Sequence, residues 1–132
     1  MSAGDVVDHI IKRNSIQTTN ATPATLVSVA VPLGTEGIVA IRAHAIGVKT
    51  DATKALDVEL FGIGTINGGS FGLTIGGELG NLDFGTSAFG AQLSVVSANT
   101  IGILVTGAGS TTVRWAGRIE VEITEQTLSG GG

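Results

Sequence analysis

Apolar residues alternate with polar or small ones along most of the chain, and a period of two predicts strands. In "VRWAGRIEVEI" (113–123), Val113, Trp115, Gly117, Ile119, Val121 and Ile123 share one face. Arg114, Ala116, Arg118, Glu120 and Glu122 share the other. Successive strand side chains point to opposite sides of a sheet, so this segment reads as a long, half-buried strand with Trp115 inward. "IVAIRAHAI" (38–46) behaves alike, setting Val39, Ile41, Ala43 and Ala45 against Arg42 and His44. "LVSVAV" groups Val27, Val29 and Val31, "LDVELF" alternates Asp57 and Glu59 with Val58 and Leu60, and "IGILV" adds Ile101, Ile103 and Val105. Polar connections separate these runs at 32–37 ("PLGTEG") and 49–54 ("KTDATK"). "INGGS" (66–70) carries an Asn-Gly pair, a strong hairpin signal. "TGAGST" (106–111) is expected to close a last hairpin between 101–106 and 112–124. Short, closely spaced strands without a sustained helical period predict an all-β fold, an antiparallel β-sandwich or jelly roll forming a single domain. The expected core unites Val113, Trp115, Ile119, Val121, Val39, Ile41, Val29 and Val58.

Two regions break the pattern. Residues 5–12 place Val6, Val7, Ile10 and Ile11 at helical spacing, and an extended arm fits them equally well. So short a piece is not stable alone as a helix, so these four residues are the candidate partner contacts. Residues 62–90 contain ten glycines between single Phe, Leu and Ile residues, which predicts short, bulged strands. The expected organisation is an N-terminal arm at 1–15, a sandwich at 16–125 and a flexible tail at 126–132.

Composition narrows the classes. At 132 residues the chain is one domain's length, with 42 % apolar residues but only 4 % aromatic ones, so aliphatic side chains must build the core. Twenty-one glycines exceed the usual 7 % or so, and this suggests limited burial in a monomer and association with copies of itself. Seven scattered basic residues against eleven acidic ones make no nucleic-acid footprint. No cysteine is present, which excludes disulfides and thiolate chemistry. "MSAGDVVDHIIKR" lacks a signal-peptide core, and no run approaches the roughly 20 apolar residues of a membrane span. These features lead to the expectation of a soluble protein made in the cytoplasm, with no membrane partner.

Candidate chemistry is sparse. "GGSFG" (68–72) has the form of a nucleophile elbow around Ser70, but that motif needs a strand–turn–helix setting and a later histidine. His9 and His44 both precede Ser70. "DFG" (83–85) lacks every companion kinase motif, and "GIGTIN" (62–67) lacks the third glycine of a dinucleotide fingerprint. The histidines show no metal-ligand spacing, and Asp51, Asp57 and Glu59 lack the dense oxygen pattern of a calcium loop. The expectation is no catalytic residue, no metal site and no cofactor.

Several stretches carry a resemblance. "IQTTNATPATL" (16–26) and "VTGAGSTTVRWAGRIEVEITE" (105–125) bracket the chain. Together they resemble a pattern in small virion structural proteins of bacteriophages and prophages. The shared features are a QTT-(D/N)-ATP-x-TL lead-in at Gln17 to Leu26, a strand ending in Val31-Pro32, a basic-Thr-Asp turn at Lys49 to Asp51, and a closing W-x-(A/G)-x-(V/I)-x-V strand at Trp115 to Val121. The match covers about 16–61 and 93–125, while 62–90 departs from it. The resemblance implies a β-sandwich displayed in many copies on a virion, partnered by its own copies as a homotrimer and by major capsid or tail proteins. A head-decoration role is the first expectation, because the apolar arm could dock on a capsid and fibre-shaft repeats are absent. A tail fibre or baseplate module is the alternative. A receptor- or carbohydrate-binding module ranks third, since the chain has no Tyr and a single, inward Trp.

Overall fold

The structure, a computed structural model, describes residues 6–85 and 88–125, with side chains from Asp8 onward. Eight strands follow one another: β1 (Val6–Thr18), β2 (Ala24–Ala30), β3 (Gly37–Lys49), β4 (Ala55–Asn67), β5 (Ser70–Phe84), β6 (Gly90–Ser97), β7 (Thr100–Thr106) and β8 (Val113–Glu125). They form a five-stranded sheet in the order β1-β8-β3-β4-β5 and a three-stranded sheet in the order β2-β7-β6. All neighbouring strands are antiparallel. The protein is therefore an all-β sandwich, as the alternation predicts. It departs from a jelly roll, because β3-β4-β5 stay together as a meander and leave the second sheet with three strands.

The core lies between the sheets and contains every residue predicted for it. Trp115 is 1 % exposed, and its ring tilts against Phe89 at a centroid distance of 6.0 Å. Phe89 belongs to the glycine-rich region in which no core residue was expected. Two glycines make room for large neighbours. A Cβ on Gly47 would stand 2.5 Å from the Trp115 ring, and one on Gly117 would strike the Leu26 side chain. These glycines are the space into which the large side chains pack, rather than a source of looseness.

The polar lead-in has a structural task. Thr18 is the buried polar residue of the described chain, and its Oγ1 accepts a 3.0 Å hydrogen bond from Trp115 Nε1. A buried indole N–H needs a partner, and the lead-in supplies it across 97 positions of sequence. Asn14 Nδ2 donates to the Leu26 carbonyl at 2.9 Å and ties β1 to β2. Asn20 Oδ1 accepts from the Thr22 N–H at 2.9 Å, the local bond that turns the chain toward β2.

Three expectations change. Residues 6–18 are one strand along β8, so the expected boundary at 15/16 falls inside β1 and the helical option for 5–12 is not taken. The backbone bonds left open by β8 are what hold this segment extended. The expected hairpin at 106–111 is a crossing between sheets: β7 pairs with β2 and β6, while β8 pairs with β1 and β3. Gly107 makes the crossing possible, since a Cβ there would lie 2.7 Å from Thr18 Oγ1. Residues 62–84 hold two long strands instead of short ones, although the pairing does shift at Glu59/Leu60 and Ile63/Gly64. The turn between them is Gly68-Gly69, with φ of +62° and +78°, so both loop positions need the left-handed region that glycine tolerates. The tail at 126–132 lies outside the described residues.

Candidate functional site

The three-stranded sheet covers one face of the five-stranded sheet, and no element among the described residues packs on the other. Directly opposed residues share a face, so the register reads this outer face row by row. At one end the first row is Gln17, Arg114, Val48, Ala55 and Phe84, from β1 to β5. The next row is Ser15, Ala116, Ile46, Asp57 and Leu82. A third is Arg13, Arg118, His44, Glu59 and Gly80.

Two features stand out on these rows. A groove of about 630 Å³ lies over β1, β8 and β3, with Ile46, Val48 and Ala116 as its apolar lining and Ser15, Gln17 and Arg114 as its polar one. Across the sheet, the edge strand β5 carries the most exposed large apolar side chains: Ile75 at 54 %, Leu79 at 55 %, Leu82 at 74 % and Phe84 at 63 %. Such side chains on an edge strand mark a contact surface or an aggregation hazard.

Charge divides along the same line. On β1 and β8 the three rows hold Arg13, Arg114 and Arg118, all exposed, and no acid. Over β4 and β5 the same rows hold Asp57 and Glu59 and no Lys or Arg; residues 55–84 also contain Glu78 and Asp83, at positions of the opposite face, and no base. The histidines lie on the outer face as well. His44 Nε2 is 2.5 Å from Asp57 Oδ1, and His9 Nε2 is 2.5 Å from Glu120 Oε2. In the β3–β4 connection, Asp51 accepts from the Thr53 hydroxyl at 2.6 Å and the Thr53 N–H at 3.0 Å, with Lys49 Nζ at 3.1 Å. The Thr53 hydroxyl first, then its N–H and Lys49, lower the Asp51 pKa to about 2.

The residues singled out from sequence scatter. Ser70 opens β5 at the hairpin turn, exposed, and is not brought to either histidine in any described contact. Among the described residues no group of three His, Asp or Glu side chains is placed to hold a metal ion. Of the four expected contact residues, Ile10 faces inward opposite Val121 and packs against the core, while Ile11 is 42 % exposed beside Glu120 on the outer face. Val6 and Val7 enter β1, with side chains outside those described. Sequence reasoning missed Leu82 and Phe84. Their available signal was a 30-residue span, 55–84, with four acids and no base.

No protein-family model matches the chain, and no curated protein matches it. Among solved structures, the chain is similar to the tailspike protein of Acinetobacter baumannii phage AM24, at 8 % identity and a TM-score of 0.48, covering 92 % of this chain and 27 % of that one. It is also similar to the tailspike protein of Acinetobacter phage vB_ApiP_P1, at 16 % identity and a TM-score of 0.38, covering 90 % of this chain and 22 % of that one. The chain thus spans about a quarter of the length of either protein.

Proposed function

We propose that the chain is a structural module of a bacteriophage particle, and that it belongs to the tail, as part of a fibre, spike or baseplate. One observation carries the reading. The residues by which the sequence resembles phage virion proteins are the ones that hold this sandwich together. Thr18 of the lead-in receives the Trp115 indole of the closing strand, Asn20 sets the turn into β2, and Asp51 with Thr53 and Lys49 sets the turn into β4. A pattern made of packing and turn residues specifies a scaffold, which is what a multi-copy virion part must be.

The head-decoration expectation rested on an apolar arm that could dock on a capsid and on the absence of fibre-shaft repeats, which a compact tail module does not need either. Residues 8–18 are instead paired along β8, with Asn14 bonded to β2, so detaching them would open the sandwich. The tail reading therefore stands first. Its test is fractionation of purified particles of the encoding phage into heads and tails, followed by immunoblotting. Recovery with tails is the expected result, and recovery with heads alone restores the decoration role.

A further inference from the structure

We propose that the outer face of the five-stranded sheet joins copies of this chain: the β5 edge of one copy enters the groove over β1, β8 and β3 of another. The occupant of the groove is thus a second copy of the protein, through its Leu82 and Phe84.

Three observations meet in this contact. The insert and the receptor lie on the same outer face, in the same two rows, at opposite ends of those rows. Leu82 and Phe84 are 74 % and 63 % exposed, and the groove offers Ile46, Val48 and Ala116 to receive them. Charges complement one another around the apolar pair. Arg13, Arg114 and Arg118 flank the receptor and form no ion pair among the described residues, while Asp57, which is bonded to His44, and Glu59 stand on β4 beside the insert. Like-with-like packing would set acid against acid at the β5 edge or base against base at the groove. Setting the β5 end of one copy on the groove of another brings opposite signs together.

The insert and the receptor lie at opposite ends of one face, so two copies facing each other can make the contact twice about a two-fold axis, and copies that each make it once with a different neighbour form a chain or ring. An open chain of copies keeps one free insert at one end and one free groove at the other until it closes on itself. A closed ring uses both in every copy and covers the apolar β5 edge throughout. The contact belongs to the isolated chain and stands apart from the particle reading: a monomer in solution would sink the contact and leave the tail assignment untouched.

A mixing experiment by analytical ultracentrifugation tests it. The double variant Leu82→Ser/Phe84→Ser removes the insert, and Arg114→Glu/Ala116→Glu spoils the groove. All four side chains are exposed, and unchanged far-UV circular dichroism and Trp115 emission verify the fold. The wild type is expected to sediment as a discrete closed assembly, a reciprocal dimer or a ring. Each variant alone is expected to be monomeric, and their equimolar mixture to give a heterodimer and nothing larger, since one intact insert meets one intact groove. The insert variant added to wild type should exchange into the closed assembly, leave a groove partner without an insert and lower the mean mass, which keeps the test decisive even if the groove variant does not fold. A wild-type protein monomeric at every concentration, an insert variant that still forms the closed assembly, or folded variants that fail to combine would each overturn the contact.

Discussion

Replacing Thr18 with Val tests the bond between the polar lead-in and the closing strand. Valine keeps the shape of threonine and removes the hydroxyl that accepts from Trp115 Nε1 at 3.0 Å. Thr18 is 5 % exposed and Trp115 1 %, so water has little access to the orphaned N–H. A buried donor left without a partner costs about 1–3 kcal/mol. Taking the middle of that range, a domain of this size should lose about 8 °C in its thermal midpoint. Scanning calorimetry at fixed protein concentration measures the loss without confusing it with dissociation of copies. The control is Trp115→Phe, which removes the donor as well. In that background Thr18→Val should cost much less, so the double-mutant cycle should show a coupling of about 1–2 kcal/mol. A Thr18→Val protein within about 0.3 kcal/mol of wild type, or a cycle without coupling, would refute the idea that the lead-in secures the tryptophan.

Other consequences can be checked with single variants. Gly47→Ala places a methyl group 2.5 Å from the Trp115 ring and should cost about 1–3 kcal/mol in chemical denaturation, whereas Gly34→Ala, with no atom within 4 Å, should stay within about 0.5 kcal/mol of wild type; equal effects would contradict the cradle. Removing residues 1–15 takes most of β1 and the Asn14–Leu26 bond, so the product should be unfolded by circular dichroism, and a truncated protein with the wild-type midpoint would restore the detachable arm. The folded pKa of Asp51 lies below its ordinary 3.8, so its contribution to stability is present above about pH 4 and disappears as pH falls through about 2; an NMR titration of its carboxyl carbon with a midpoint near 3.8 would show that the Thr53 bonds do not persist in solution. Ser70→Ala at the exposed turn should shift stability by less than about 0.5 kcal/mol, and labelling of the wild-type residue by a fluorophosphonate probe would reveal an activated serine.

How legible the molecule was depends on what each segment's pattern encodes. β3, β4 and β8 alternate cleanly because one face meets the core and the other does not, so period two gave their faces and their buried residues. β5 was not readable in this way. Ile75, Leu79, Leu82 and Phe84 are apolar yet turn outward, and its inward positions include Glu78, Asn81 and Asp83 opposite β4 residues Leu60, Val58 and Leu56. A rule that sends apolar residues inside cannot read a strand whose apolar side is its exposed one. The "TGAGST" crossing failed for another reason: the same turn residues serve a hairpin within a sheet and a passage between sheets. What decides is the pairing of β8 with β1, more than 90 positions away. The groove has that origin too. Ser15 and Gln17 reach Ala116 and Arg114 only through this pairing, so no local window contains the site. The acidic half was visible as a span without a basic residue, but its meaning needed the basic half beside it.

The proposed role of this sandwich is that of a repeated structural part of a phage tail. Cryo-electron microscopy of intact particles of the encoding phage measures it most directly, because the eight-stranded module with its five-plus-three sheets can be fitted to the map. The expected map holds several copies of the module around the tail axis. A map that holds no such module on the tail, with the protein recovered instead from the head surface or from the lysate alone, would contradict it.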